Sequence, residues 1–229
     1  MSPDAAAILA EPRIAPSILS ADYARLGEQL AEVLDAGARV IHVDVMDGHF
    51  VPPITVGPLV VDAIHEQVHA AGALLDVHLM IELPERHVDE FAAAGADVIT
   101  IHHEATPHVH FTLGRVREAG CRAGVALNPG TSPDTVDALR AVADQVLCMT
   151  VNPGWAGQRF IADSPEKVAR LRALVPEGVP LEVDGGLDEA TVATCAQAGA
   201  SLFVAGSAVF GQSDPAEAYR RLAAAAGER

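Results

Sequence analysis

Cysteine, aromatic residues and basic residues are all scarce in this chain. Its 229 residues include three cysteines, one tryptophan, two tyrosines and six phenylalanines, with 15 Lys and Arg set against 31 Asp and Glu. Cys121, Cys148 and Cys195 stand apart with no CxxC pair. An odd cysteine count without a signal-peptide pattern reads as reduced thiols in a cytoplasmic protein. The formal charge of −16 repels DNA, RNA and anionic lipid, and no Lys/Arg cluster offers a local exception, so nucleic acid is not expected as a partner. No uninterrupted apolar run reaches the roughly 18 residues that a membrane-spanning helix needs, so no membrane partner is expected either.

What is present is apolar and repetitive. Half the residues are hydrophobic, and short apolar stretches begin near Ile14, Val40, Leu74, Val98, Ala123, Val146, Leu181 and Leu202. Each is followed by an amphipathic segment with helical spacing. Helix starts are marked by Ser20-Ala-Asp22, Leu83-Pro84, Thr131-Ser-Pro133, Asp163-Ser-Pro165 and Ser213-Asp-Pro215. Helix ends are marked by Ala-Gly-Ala at 36–38, 94–96 and 198–200 and by Ala119-Gly120, where glycine suits a left-handed cap. A loose N-terminal leader is expected over residues 1–12, followed by one domain over 13–229.

Eight strand-then-helix units predict an α/β fold, a single closed (β/α)8 TIM barrel. The alternative is an open doubly wound sheet, which calls for a glycine-rich nucleotide turn after its first strand. Here the first strand runs instead into Ser17-Ile-Leu-Ser20.

In a barrel, alternate strand residues point inward, and polar inward residues near strand C-termini mark the active end. Val40-Ile-His-Val-Asp-Val-Met46 would turn His42, Asp44 and Met46 inward. Leu74 to Met80 would do the same with Asp76, His78 and Met80, and Leu181 to Asp184 with Glu182 and Asp184. A single inward histidine is ordinarily a hydrogen-bonded core residue. His42, Asp44, His78 and Asp184 together, however, suit one divalent metal ion, with Zn²⁺, Fe²⁺, Mn²⁺ and Co²⁺ all compatible with imidazole and carboxylate ligands. Glycine turns at Gly154-Trp155-Ala156-Gly157, Gly185-Gly186 and Gly206-Ser207 offer backbone N–H groups for a phosphate, with the first loop able to close over the site.

Ala15-Pro-Ser-Ile-Leu-Ser20, Val40 to Pro52, Asp76-Val-His-Leu-Met80, Met149-Thr-Val-Asn-Pro-Gly-Trp-Ala-Gly-Gln158, Glu182-Val-Asp-Gly-Gly186 and Ala205-Gly-Ser207 together resemble the ribulose-phosphate 3-epimerase family. The likeness runs in order from about residue 13 to the end. It implies a metal-dependent isomerase of the pentose phosphate pathway that interconverts D-ribulose 5-phosphate and D-xylulose 5-phosphate by two-base proton transfer at C3, through a metal-stabilised enediolate. By the same resemblance His42, Asp44, His78 and Asp184 are the metal ligands, Asp44 and Asp184 the acid/base pair, and Ser17 and His78 substrate contacts. Met46, Met80 and Met149 would form a water-excluding apolar lid, His102 and Glu104 would brace the pocket, and the assembly would be a homo-oligomer, dimer or hexamer. Glu182 is a candidate partner behind the ligands.

Three positions depart from the family pattern: Pro53 for a usual Asn, Val56 for a usual aromatic, and Trp155 for Phe or Tyr. These leave an allulose 6-phosphate 3-epimerase as an alternative. Related barrels that decarboxylate or form carbon–carbon bonds resemble Asp-x-Lys-x-x-Asp on strand two; Met46 occupies the lysine position, which speaks against a lyase. A non-catalytic sugar-phosphate sensor would need no proton-transfer pair. His65, His69, His87, His108 and His110 are expected on solvated helix faces.

Overall fold

A computed structural model describes residues 4–228. Eight parallel strands form one sheet in the order β1-β8-β7-β6-β5-β4-β3-β2. They are β1 (Arg13–Pro16), β2 (Val40–Met46), β3 (Leu74–Met80), β4 (Val98–His102), β5 (Arg122–Leu127), β6 (Gln145–Met149), β7 (Leu181–Asp184) and β8 (Leu202–Ala205). A parallel bridge between Ser17 and His42 links the β1 edge to β2, so the sheet curls into a nearly closed barrel.

A short helix α1 (Ala5–Leu9) precedes the first strand, and the outer helices are α2 (Leu26–Asp35), α3 (Pro58–Ala70), α4 (Val88–Ala93), α5 (Val109–Glu118), α6 (Ser164–Leu174), α7 (Glu189–Gln197) and α8 (Pro215–Ala226). After β5 the expected helix is instead a 3₁₀ segment, Pro133–Leu139, capped by the Ser132 hydroxyl. Gly37, Gly95, Gly120 and Gly199 all carry positive φ (118°, 103°, 89° and 104°), as the expected helix stops require. No described helix is long and apolar enough to cross a membrane.

The alternation within each strand sorts its side chains. Ile41, Val43, Val45, Leu75, Val77, Leu79 and Val183 belong to the large apolar layer between strands and helices. The N-terminal end of the barrel is closed by a separate cluster of Leu9, Ala15, Val40, Leu74, Val98, Leu202 and Val204. Leu9 comes from the segment expected as a leader. Asp4 caps α1 through Ala6 and Ala7 N–H, and burying Leu9 against the barrel floor removes apolar surface from water. Residues 1–3 of that leader lie outside the described residues.

Candidate active site

Strand register sets the site. β2 and β3 pair with His42 opposite Asp76, Asp44 opposite His78 and Met46 opposite Met80, while β6 and β7 place Met149 opposite Asp184. The inward face therefore carries a methionine pair at the rim of β2 and β3 and His/Asp pairs below it. His42, Asp44, His78 and Asp184 each bring one ligand-type atom into a group whose members all lie within 4.8 Å of one another.

The geometry identifies those atoms. His42 Nε2 lies 3.3 Å from Asp44 Oδ1. His78 Nδ1 lies 3.2 Å from Asp44 Oδ1 and 3.6 Å from Asp184 Oδ2. His42 Nε2 is buried with no aligned hydrogen-bond partner among the described residues, which is costly for a polar atom and is relieved if the atom ligates a cation. The donor set fits a divalent ion of the borderline class.

A second layer lies beneath. His42 Nδ1 is 2.8 Å from Asp76 Oδ2 and 3.4 Å from Glu182 Oε1. Gln145 Nε2 donates to Glu182 Oε2 at 2.8 Å. Glu182 thus stands behind His42, and all four of these side chains are buried. On the other flank His102 meets His78 edge to edge, with ring centroids 4.9 Å apart, planes 24° from parallel and Nε2 to Nε2 2.8 Å. His102 Nδ1 lies 3.3 Å from Glu104 Oε2.

Charge follows from these contacts. Burial alone would push the Asp44 carboxyl up, but the His42 and His78 imidazoles outweigh it and hold it well below the usual carboxylate range. Burial likewise opposes charge on His78, yet Asp184 and Asp44 raise it to about 9, while His42 is raised well above its ordinary value by Asp44 and Asp76 against the same penalty. Glu182 is pushed up to about 8 by burial and then by Asp76. Burial depresses His102 to about 4, so that ring is neutral at pH 7. Among the protein groups alone, the imidazoles of His42 and His78 attract protons; a divalent cation would take their place.

Above this cluster opens a cavity of about 560 Å³. Its wall includes Ser17, Asp44, Asp184, Met46, Met80 and Met149, together with Gly154, Trp155, Ala156, Gly157, Gly185, Gly186, Gly206 and Ser207. The expected site residues therefore gather at one mouth, with one distinction. His42 and His78 are fully covered and lie beneath the cavity surface. Ser17 donates its hydroxyl to Asp44 Oδ2 and accepts from Leu19 N–H at 3.2 Å.

The glycines at the mouth are required by space as well as by backbone angle. A Cβ on Gly186 (φ 67°) would sit 2.6 Å from Phe160 N, and one on Gly185 (φ 119°) 2.3 Å from Val151 Cγ2. Thr150 ties the same corner together: its N–H donates to Asp184 O at 2.7 Å and its hydroxyl to Gly185 O. Trp155 is 55% exposed at the tip of its loop.

Sequence reading missed several participants. Asp76 was visible as an inward residue, but its grip on His42 depends on the β2–β3 register. Gln145 and Thr150 gave no signal. His69, expected on a solvated face, is instead partly covered and lies 2.8 Å from Asp97 Oδ2, because that carboxylate also accepts from Leu75 N–H at the base of β3. His108 and His110 are exposed as expected.

The family model described as "Ribulose-phosphate 3 epimerase family" matches residues 13–210. The ribulose-phosphate 3-epimerase of Bacillus subtilis (strain 168) is 48% identical over 214 residues, covering 92% of this chain and 97% of that protein. The one of Synechocystis sp. (strain ATCC 27184 / PCC 6803 / Kazusa) is 51% identical over 210 residues, 90% of each. Among solved structures, 3-hexulose-6-phosphate synthase from Salmonella typhimurium superposes with a TM-score of 0.69 at 18% identity, covering 93% of this chain and 98% of that one. At that identity the likeness is one of fold.

Proposed function

The chain belongs to the ribulose-phosphate 3-epimerase family and is an epimerase, and from that premise we propose that it interconverts D-ribulose 5-phosphate and D-xylulose 5-phosphate at C3, as a step of pentose phosphate metabolism. One observation carries the reading: Asp44 and Asp184 come from separate strands, line one cavity and both approach His78 Nδ1.

Inverting C3 of a 2-ketose requires breaking the C3–H bond on one face and remaking it on the other. One aspartate takes the proton, the electron pair of the C–H bond moves into the C2–C3 bond as the C2 carbonyl becomes an oxyanion, and the other aspartate delivers a proton to the opposite face. The reverse reaction exchanges their roles. Ser17 holds Asp44 by its hydroxyl, which fixes which oxygen of that carboxylate faces the sugar. His42, Asp44, His78 and Asp184 would hold a divalent cation, which supplies a Lewis acid for the charge that develops beside the carbonyl. Zn²⁺, Fe²⁺, Mn²⁺ and Co²⁺ all suit this donor set.

Met46, Met80 and Met149 give the cavity an apolar wall that keeps water from the planar intermediate. The phosphate is assigned to the turns at Gly185-Gly186 and Gly206-Ser207, whose backbone N–H groups can hold an anion without a cationic side chain in a strongly acidic protein. The loop at Gly154-Trp155-Ala156-Gly157 covers the sugar. Burial of three free cysteines supports a reducing, cytoplasmic setting, and the exposed Ile54 and Leu59 support a homo-oligomer, dimer or hexamer.

A coupled assay on metal-analysed protein, with D-ribulose 5-phosphate and D-allulose 6-phosphate side by side, tests the proposal. Turnover of the pentulose phosphate that chelator abolishes and added metal restores is the expected result. Preference for the hexulose phosphate, or inactivity with metal bound, overturns it.

A further inference from the structure

His78 ends one arm of a hydrogen-bonded chain that leaves the cavity altogether. Its Nδ1 faces Asp44 and Asp184. Its Nε2 lies 2.8 Å from His102 Nε2, and His102 Nδ1 lies 3.3 Å from Glu104 Oε2. The second oxygen of Glu104 accepts from Asn128 N–H at 2.9 Å and from the Thr131 hydroxyl. The chain thus runs from β3 through the end of β4 to the loop after β5.

A contact of 2.8 Å between two ring nitrogens needs one hydrogen, and only two arrangements of neutral rings supply it. In the first, His78 Nε2–H donates to His102 Nε2, His102 Nδ1–H donates to Glu104, and His78 Nδ1 keeps a free lone pair directed at the aspartates. In the second, every donor is reversed: His78 Nδ1 carries the hydrogen, and His102 Nδ1 turns a lone pair toward the Glu104 carboxylate. A carboxylate accepts and does not donate, so it excludes the second arrangement. Glu104 is itself fixed in that role, because Asn128 N–H and Thr131 O–H both need an acceptor.

We infer that Glu104 and His102 are positioning residues that lock His78 in the tautomer whose Nδ1 can ligate a metal ion. His42 is set in the complementary sense: Asp76 lies 2.8 Å from its Nδ1, leaving Nε2 for the ion. The two histidines therefore offer opposite ring nitrogens, each selected by a carboxylate, directly for His42 and through a second imidazole for His78. The inference rests on the metal-site reading above.

Glu104→Gln is the discriminating change, since it is nearly isosteric and reverses the polarity of the chain. The glutamine oxygen is claimed by Asn128 N–H and Thr131 O–H, so its NH₂ group meets His102 Nδ1 and favours the unproductive arrangement. Zn²⁺ affinity is measured by competition with a chromogenic chelator, alongside thermal unfolding and imidazole ¹⁵N NMR of the metal-free protein at a pH above 9, where His78 has lost its extra proton and its remaining hydrogen reports the tautomer. The expected result is wild-type zinc binding weakened roughly 10–100-fold in the variant, with His78 Nε2 losing its hydrogen and the unfolding temperature of the metal-free protein nearly unchanged. Should the glutamine variant fail to fold, His102→Phe removes the acceptor while keeping an aromatic ring at that position, and the same loss of affinity is expected. Unchanged affinity overturns the inference, as does weaker binding with His78 still hydrogenated at Nε2. Failure of the wild-type protein to bind zinc or any of the other three ions would instead overturn the metal site on which the inference rests.

Discussion

Asp44 and Asp184 meet at a single imidazole nitrogen: His78 Nδ1 is 3.2 Å from Oδ1 of the first and 3.6 Å from Oδ2 of the second. They arrive from β2 and β7, so the two carboxylates flank the cavity floor from different directions. If each serves one face of the sugar, neither can replace the other. Asp44→Asn and Asp184→Asn should each lower epimerisation by about 10²–10⁴-fold, measured with metal content determined on the same samples. A sensor that uses the pocket only for binding would retain its response in Asp184→Asn.

Ser17 supports one of these carboxylates. Its hydroxyl donates to Asp44 and caps the short turn that follows β1 through Leu19 N–H. Hydrogen bonds to charged groups contribute about 1.5–3 kcal/mol. Ser17→Ala should therefore reduce kcat/KM by roughly 10–100-fold, with a smaller effect on the unfolding midpoint.

Gly186 tests the phosphate assignment. Its φ is 67°, and a β-carbon at this position would sit 2.6 Å from Phe160 N, so alanine must displace the loop after β6. Gly186→Ala should raise KM for the phosphorylated substrate and weaken competition by inorganic phosphate. If KM is unchanged, the anion is held elsewhere.

Acid stability should depend on Asp47, beyond the end of β2. Burial acts to raise its carboxyl, but N–H donors from Glu82, His49 and Phe50 hold it below its ordinary value. A carboxylate depressed in the folded state stabilises the fold above its unfolded pKa, and that contribution is lost as pH falls through the folded value. Asparagine cannot serve the Glu82 N–H with the amide nitrogen that replaces Oδ2. Asp47→Asn should be less stable than wild type at pH 7, and the difference should shrink as the pH falls toward the folded value, as read from urea midpoints.

Strand faces are legible in the sequence wherever a polar residue breaks an aliphatic run, which is why His42, Asp44, His78 and Asp184 group together on sequence alone. Register and shear are not legible. The Asp76–His42 contact needs β2 and β3 aligned residue for residue, and the Gln145–Glu182 bond joins neighbouring strands only at one level of the barrel. Helix α1 leaves no sequence signal because five residues are too few for helical periodicity, and Leu9 is held by the barrel floor rather than by propensity. The 3₁₀ segment Pro133–Leu139 carries the same start signals as a helix and differs only in how tightly it winds.

The most direct test of the two-carboxylate account is to follow D-ribulose 5-phosphate with the metal-loaded protein in deuterated water by NMR. The account predicts D-xylulose 5-phosphate as the product, with deuterium entering at C3. Deuterium entering at C1, or a metal-loaded protein that leaves the C3 proton in place, would contradict it.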